Sequence, residues 1–281
     1  MRVGARAVDV GLGPTLIIDA AGTSHAGKVR TLNEDSLVVL EGVVYAVADG
    51  MGGHAAGEVA SRIAVQRLAE LDGDHGLGPG DISSAIAEAN DLILMSSVEH
   101  PERRGMGTTV SGIAVVQVGG ADHWAVFNVG DSRVYRFADD VLVQVTTDHS
   151  EVEELVAAGQ ITGEQARTHP NRNVITRSLG TDPGPKPDLW VFPPRPVECF
   201  LICSDGLTGE IDDEQIATVL REHPDAETAA SVLVQAAVDA GGSDNVTVVV
   251  VRPTSTNQVL VNADTAPRVM LTDEHLSLIH I

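Results

Sequence analysis

Lysine is nearly missing from this chain: Lys28 and Lys186 are the only two in 281 residues. Arginine does not make up the deficit, because Lys and Arg together number 18 against 40 Asp and Glu, a net charge of −22. A nucleic-acid surface needs clustered cations to displace counterions, and no Lys/Arg block occurs, so nucleic acid is excluded as an expected partner. Aromatic residues amount to 3%, so the core must be built from Ala, Val, Ile and Leu, which a 43% hydrophobic content can supply. No apolar run approaches the roughly 18–20 residues that span a bilayer. The opening "MRVGARAVDVGLGP" also lacks the apolar stretch of a signal peptide. A cytoplasmic protein with no membrane partner is expected.

Cysteine is scarce too. Cys199 and Cys203 lie in "VECFLICSDG", which reads as a strand. At about 3.3 Å per residue their Cα atoms would sit roughly 13 Å apart, beyond disulfide reach, so two buried thiols are expected.

What is present is a series of β-branched apolar runs: Leu16–Ala20, Ser36–Leu40, Val43–Ala48, Thr109–Val118, Trp124–Val129, Arg133–Phe137, Val141–Val145, Cys199–Cys203 and Val246–Val251. Short polar turns such as "GGAD" (119–122) and "ADD" (138–140) join some of them, as between antiparallel neighbours. Helical periodicity falls at 57–73 and 81–100, with Asp81 as the N-cap of the second, and later at 150–160, 212–223 and 226–242. This order lacks the strict alternation of a doubly wound sheet and suits an α+β domain with antiparallel sheets covered by helices. Residues 147–187 interrupt the strands with short helices and read as an inserted flap. Residues 1–15 read as an N-terminal extension, 16–252 as one domain and 253–281 as a disordered tail.

"VVYAVADGMGGHAAGEVAS" (43–61) combines an apolar run, an acid and a glycine cluster. Its "GMGGHA" fits the G-x-G-x-x-A form of a dinucleotide loop, but a second helix follows where that fold requires a strand. Asp49 would also face the pyrophosphate. A Walker A loop fails because no Gly-Lys-Ser/Thr closes it.

Asp49 is one of several acids at strand ends. Glu34 and Asp35 precede Ser36–Leu40, Asp131 sits in a tight hairpin in "NVGDSRVY", Asp205 follows Cys199–Cys203, and Asp244 precedes the last strand. Singly, each is ordinary turn chemistry. Together they form an oxygen-rich mouth suited to hard divalent cations, and two such ions would neutralise Asp35, Asp49, Asp205 and Asp244. Zinc is disfavoured because regularly spaced Cys and His are missing. A two-metal site can activate water and clamp a phosphoryl group, and Arg30 in "KVRTLNED" can offer a bidentate fork to its oxygens.

The ordered motifs "RTLNEDS", "VADGMGGHAAGE", "GMGTTV", "VGDSRVY", "TTDHS", "HPNRN", "CSDGL" and "GGSDNVTVVVV" span about residues 20–252. Their set resembles the bacterial metal-dependent Ser/Thr protein phosphatases of type 2C, the PPM family. The resemblance implies a four-layer α-β-β-α sandwich, two antiparallel sheets flanked by helix pairs. It implies two core Mn²⁺ or Mg²⁺ ions and a possible third. By position, Asp49 would bridge the core metals, the Gly50 carbonyl, Asp205 and Asp244 would complete the direct ligands, and Glu34 and Asp35 would hold coordinated waters. Arg30 would bind phosphate, with Asp35 supporting catalysis, and Asp131 would hold the third metal. Its flap co-ligand, a serine in some members, falls at Asn173 here. Met51 replaces a histidine proposed as general acid in many eukaryotic members, so the resemblance carries over no general acid; His54, and His149 and His169 in the flap, are the histidines nearby. The implied reaction is hydrolysis of phosphoserine and phosphothreonine in proteins by metal-activated water, without a phosphoenzyme. Phosphorylated proteins, including Ser/Thr kinases and their substrates, are the implied partners of a monomeric enzyme. The alternatives are a non-catalytic phosphoprotein-binding module on the same fold, and a phosphodiesterase or nuclease, which the missing basic groove disfavours.

Overall fold

A computed structural model describes residues 7–8, 16–52, 56–73, 76–181, 183–195 and 197–255. In chain order its strands and first helices are β1 (Ala7–Val8), β2 (Leu16–His25), β3 (Ser36–Leu40), β4 (Val44–Ala48), β5 (Gly50–Met51), α1 (Ala56–Ala69) and α2 (Pro79–Glu99). Then come β6 (Gly107–Thr108), β7 (Val110–Val118), β8 (Ala121–Val129), β9 (Arg133–Ala138) and β10 (Val141–Gln144). The remainder is α3 (Glu151–Ala157), α4 (Gly163–Arg167), β11 (Asp188–Phe192), β12 (Cys199–Cys203), α5 (Asp205–Thr208), α6 (Asp213–Glu222), α7 (Ala226–Ala240) and β13 (Val246–Ser255).

The strands form two large antiparallel sheets, in the orders β1-β2-β13-β12-β9-β10 and β11-β8-β7-β4-β3, with a small β5-β6 ribbon beside them. Side chains of period two sort into three apolar layers. In β4, Tyr45 and Val47 point between the sheets, while Val44, Ala46 and Ala48 meet α1 and α2. In β12, Phe200 and Ile202 point inward, while Cys199, Leu201 and Cys203 meet α7. Both faces of these strands are therefore dry, which is why they read as unbroken apolar runs although the sheets are antiparallel. The expected α+β sandwich of two sheets between helix layers is the observed one. Both tryptophans, Tyr45 and Phe200 fill the central layer, with Trp124 edge-on to Phe200 at 5.4 Å. Alanines at a spacing of four, Ala56, Ala60 and Ala64, let α1 lie close on its sheet. Cys199 and Cys203 are buried free thiols, as expected.

Several expectations need correction. Asp81 is not the N-cap of α2: Gly78 is, and the Asp81 carboxylate accepts its N–H at 2.7 Å from the third helical position. Asp131 does not sit in a hairpin, because β8 and β9 belong to different sheets and residues 130–132 carry the chain across. β2 runs on to His25, and β13 continues past Val251, its last residues pairing with the start of β2. Ala7–Val8, inside the expected N-terminal extension, add to the sheet edge. β11 was not anticipated. The flap does contain two short helices; an isolated bridge Ser150↔Ile175 joins its two limbs, and another, Thr108↔Leu179, ties its return to the body. The expected tail beyond Ser255 lies outside the described residues. Among the described residues no helix is long and apolar enough to cross a membrane.

Candidate metal centre

Antiparallel pairing determines where the acids go. The end of β4 adjoins the start of β3, with Ser36 opposite Ala48, so Glu34, Asp35 and Asp49 share one rim. In the other sheet Cys203 pairs with Val248, which brings Asp205 beside Asp244. Residues 130–132 cross between the sheets at this same end, and Asp49 feels the charges of Asp35, Asp205, Asp131 and Asp244. Acids from five separate parts of the chain therefore meet.

The two Asp-Gly pairs are required by close packing. A Cβ at Gly50 would collide with the carbonyl oxygens of Gly57 and Glu34, and one at Gly206 with that of Asn245. Around them hydroxyl and amide side chains fix the backbone. Thr109 Oγ1 accepts the Asp49 N–H at 2.9 Å, and Thr108 Oγ1 donates to the Asp49 carbonyl at 2.9 Å. Ser204 Oγ donates to Asp35 Oδ2 at 2.9 Å. Asn245 accepts the Glu34 N–H at 2.8 Å and donates to the carbonyls of Ala26 and Leu32, clamping the 26–35 loop. Thr108, Thr109, Ser204 and Asn245 lie inside the sequence motifs named above, yet none of them was an expected site residue. Their polar side chains beside buried acids were the available signal.

The acids are left chemically unsatisfied. Glu34 Oε1, Asp35 Oδ1 and Asp131 Oδ1 are buried and have no hydrogen-bond partner. Burial first, and neighbouring negative charge second, pushes Asp49 well above the usual carboxylate range. The same two causes raise Asp131 to about 8 and raise Asp205. Asp35 rises to about 7, burial again leading, although hydroxyl contacts oppose the shift. Such a cluster needs either protons or cations. Its donors are hard oxygens, which suit Mg²⁺ or Mn²⁺. Among the described residues no three His, Cys, Asp or Glu side chains already close around one point. Hard divalent ions commonly complete their shell with waters, as Mg²⁺ does with one or two carboxylates.

Asp244 differs from the other acids. Arg30 donates to its Oδ2 at 2.7 Å, and the Asn245 N–H bonds its Oδ1 at 2.8 Å. Both partners are partly exposed, so this pair marks the rim of the mouth. Arg30 is raised above the ordinary arginine value, chiefly by that hydrogen bond. His149 is buried within the protein and bonded to Gly130 and Asp188, while Asn173 is exposed in the flap. His54 lies outside the described residues.

The protein phosphatase 2C family pattern matches residues 21–239, a stretch that includes Arg30 through Asp205 and stops short of Asp244. The serine/threonine protein phosphatase PstP of Mycobacterium tuberculosis is 40% identical over 238 residues, covering 84% of this chain and 45% of PstP. This chain thus spans less than half the length of that relative. The serine/threonine phosphatase stp of Listeria monocytogenes is 36% identical over 80% of this chain and 92% of its own length. The crystal structure of the PstP catalytic domain with two manganese ions superposes with a TM-score of 0.78 at 37% identity, covering 86% of this chain and all of that one. With this fold, these motifs in order and that extent of identity, the chain belongs to the protein phosphatase 2C family.

Proposed function

We propose that this chain hydrolyses phosphoserine and phosphothreonine in proteins, using divalent cations held at the acid mouth. The observation that carries the proposal is the set of buried, partnerless oxygens on Glu34, Asp35 and Asp131 beside Asp49 and Asp205. A structural role would have matched those oxygens with donors. Asp49, the Gly50 carbonyl, Asp205 and Asp244 would hold two core Mn²⁺ or Mg²⁺ ions, Glu34 and Asp35 would hold their waters, and Asp131 would hold a weaker third. When bound, such ions supply an activated water and neutralise phosphoryl charge, without need of a phosphoenzyme.

The chain's own residues perform the rest. Arg30 is the cation poised at the rim, and exchanging Asp244 for the terminal phosphate oxygens would orient the ester by a charge-assisted fork. Asp35 sits beneath the mouth with one oxygen anchored by Ser204 and the other unpartnered, so it can orient a water or take up a proton there. Thr108, Thr109 and Asn245 hold the backbone so that the acids do not spread apart under mutual repulsion.

The partners this reading implies are phosphorylated proteins, among them Ser/Thr kinases and their substrates, met by a monomer. The test compares an aryl monophosphate, an aryl phosphodiester and a phosphothreonine peptide, with Mn²⁺ and after exhaustive EDTA dialysis. Turnover of the monoester and the peptide, lost with EDTA and restored by Mn²⁺ or Mg²⁺, is the expected result. Turnover of the diester alone would transfer the site to another two-metal chemistry. Peptide binding without turnover would make the chain a binding module.

A further inference from the structure

We propose that His149 is a positioning residue that locks the base of the flap to the turn bearing Asp131, and so holds the Asp131 carboxylate towards the acid cluster. The inference rests on the reading of Asp131 as the ligand of a weak cation.

The hydrogen bonds around His149 define its role. The Gly130 N–H donates to His149 Nδ1 at 3.0 Å, so that nitrogen carries no hydrogen. The ring proton is therefore on Nε2, which donates to Asp188 Oδ2 at 3.1 Å. The other Asp188 oxygen takes Arg177 at 2.6 Å, from the returning limb of the flap. The backbone of His149 repeats the link, its N–H reaching the Gly130 carbonyl at 2.9 Å and its carbonyl accepting the Thr176 N–H at 2.8 Å. One residue thus joins the inter-sheet crossing, the flap return and the first residue of β11.

The crossing it grips is fixed almost everywhere else. Asn128 donates to the Gly130 carbonyl at 3.1 Å, Ser111 to the Ser132 carbonyl at 2.8 Å, and the Thr109 and Ser132 hydroxyls meet at 2.8 Å. Asp131 Oδ1 alone is left buried and unpartnered within this framework. The His149 ring supplies the one side-chain acceptor for the peptide entering Gly130. Groups that orient a ligand from behind commonly change metal affinity about ten- to a hundredfold when removed.

Two conservative variants separate the two ends of the ring. His149→Asn places an amide oxygen near the Nδ1 position and can still accept from Gly130, but it cannot reach Asp188. His149→Gln places an amide donor near Nε2 and can still reach Asp188, but it leaves the Gly130 N–H without its acceptor. The readout is calorimetric titration of each folded, EDTA-stripped full chain with Mn²⁺, with the melting temperature recorded alongside. His149→Gln is expected to weaken the weakest Mn²⁺ site about tenfold and leave the tighter ones in place, whereas His149→Asn keeps all sites within about twofold. In an Asp131→Ala background, His149→Gln should add nothing. A merely structural histidine predicts that both variants lower the melting temperature while neither changes the weak site selectively. Equal loss of that site in Asn and Gln, or its retention in both, overturns the inference. If Asp131→Ala loses the weak site and His149→Gln keeps it, the positioning role alone is wrong. If Asp131→Ala titrates like wild type, the reading of Asp131 fails, and the inference with it.

Discussion

The two ends of β12 each bury carboxylates, and they do so in opposite ways. At its start, Glu198 has a fully inaccessible side chain, yet both oxygens are matched: Trp124 Nε1 and the Arg195 N–H reach one at 2.8 Å, and Arg136 reaches the other at 2.7 Å. At its end, Asp205 joins Asp49, Asp35 and Asp131, with burial and like charge outweighing the few donors supplied. The same strand in the same sandwich thus carries one carboxylate site completed by the protein and one left open. Burial of an acid is therefore weak evidence for function; burial without partners is strong evidence, because an unpartnered oxygen costs stability unless something else binds it.

The sharpest break of this contrast is Asp49→Asn. If Asp49 holds the metals as proposed, removing its charge should lower turnover roughly a thousandfold or more, since a catalytic metal supplies several kcal/mol of transition-state stabilisation. The metal-free variant should nevertheless melt no lower than wild type, because self-repulsion is relieved. A variant that turns over normally with Mn²⁺ would remove Asp49 from the centre. Glu198→Ala should do the reverse. It strands the Trp124 N–H in the interior and leaves the partly buried Arg136 without its acceptor, and should cost about 3 kcal/mol in urea unfolding, with kcat/KM per folded molecule unchanged. A loss of specific activity in the folded fraction would mean that the two ends are coupled.

Arg30→Ala should have a smaller effect. Charge-assisted contacts are worth about 1.5–3 kcal/mol, so kcat/KM on a phosphothreonine peptide should fall roughly ten- to a hundredfold. Arg30→Lys should recover only part of this, because a point charge cannot reproduce the fork. Unaltered kinetics in the alanine variant would leave Arg30 as a rim ion pair only.

The smallest effect concerns pH. Asp35 and Asp131 have folded values of about 7 and about 8, above the carboxylate reference of 3.8. At these two groups the native state therefore binds more protons than the unfolded chain, so their contribution to stability is greatest below that reference and declines as pH rises towards 8. Because protonating one acid relieves its neighbours, the expected change for EDTA-treated protein is a fall of only a few degrees in Tm between pH 5 and 8. Saturating Mn²⁺ should flatten it. A Tm that climbs over this interval without metal would contradict the open-cluster description.

Much of the open end was legible in the sequence. Glu34, Asp35, Asp49, Asp131, Asp205 and Asp244 stand out because each lies where an apolar run starts or stops, and run boundaries are local properties. The closed end was not legible. Glu198 looks like any acid before a strand, and only the sandwich brings Trp124 and Arg136 to it. β11 was missed because "DLWVF" follows a Pro/Gly stretch and becomes a strand by pairing with β8. The β5-β6 ribbon is too short to carry a period, and His149 gave no sign of bridging Gly130 and Asp188 because those partners are distant in sequence.

The sequence by itself determined the charge class, the alternation that splits each strand between two apolar layers, and local caps such as Asp212 on Gln215 and Asp225 on Thr228. The charge class follows from composition alone, and the alternation and caps depend on residues within a turn or two of one another. Only the tertiary structure decided that residues 130–132 cross between sheets, that Arg30 rests on Asp244, and which carboxylate oxygens are left without a donor. Hydrogen-bond satisfaction is a property of the whole packed neighbourhood, assembled here from segments more than two hundred residues apart, as in the Arg30–Asp244 pair.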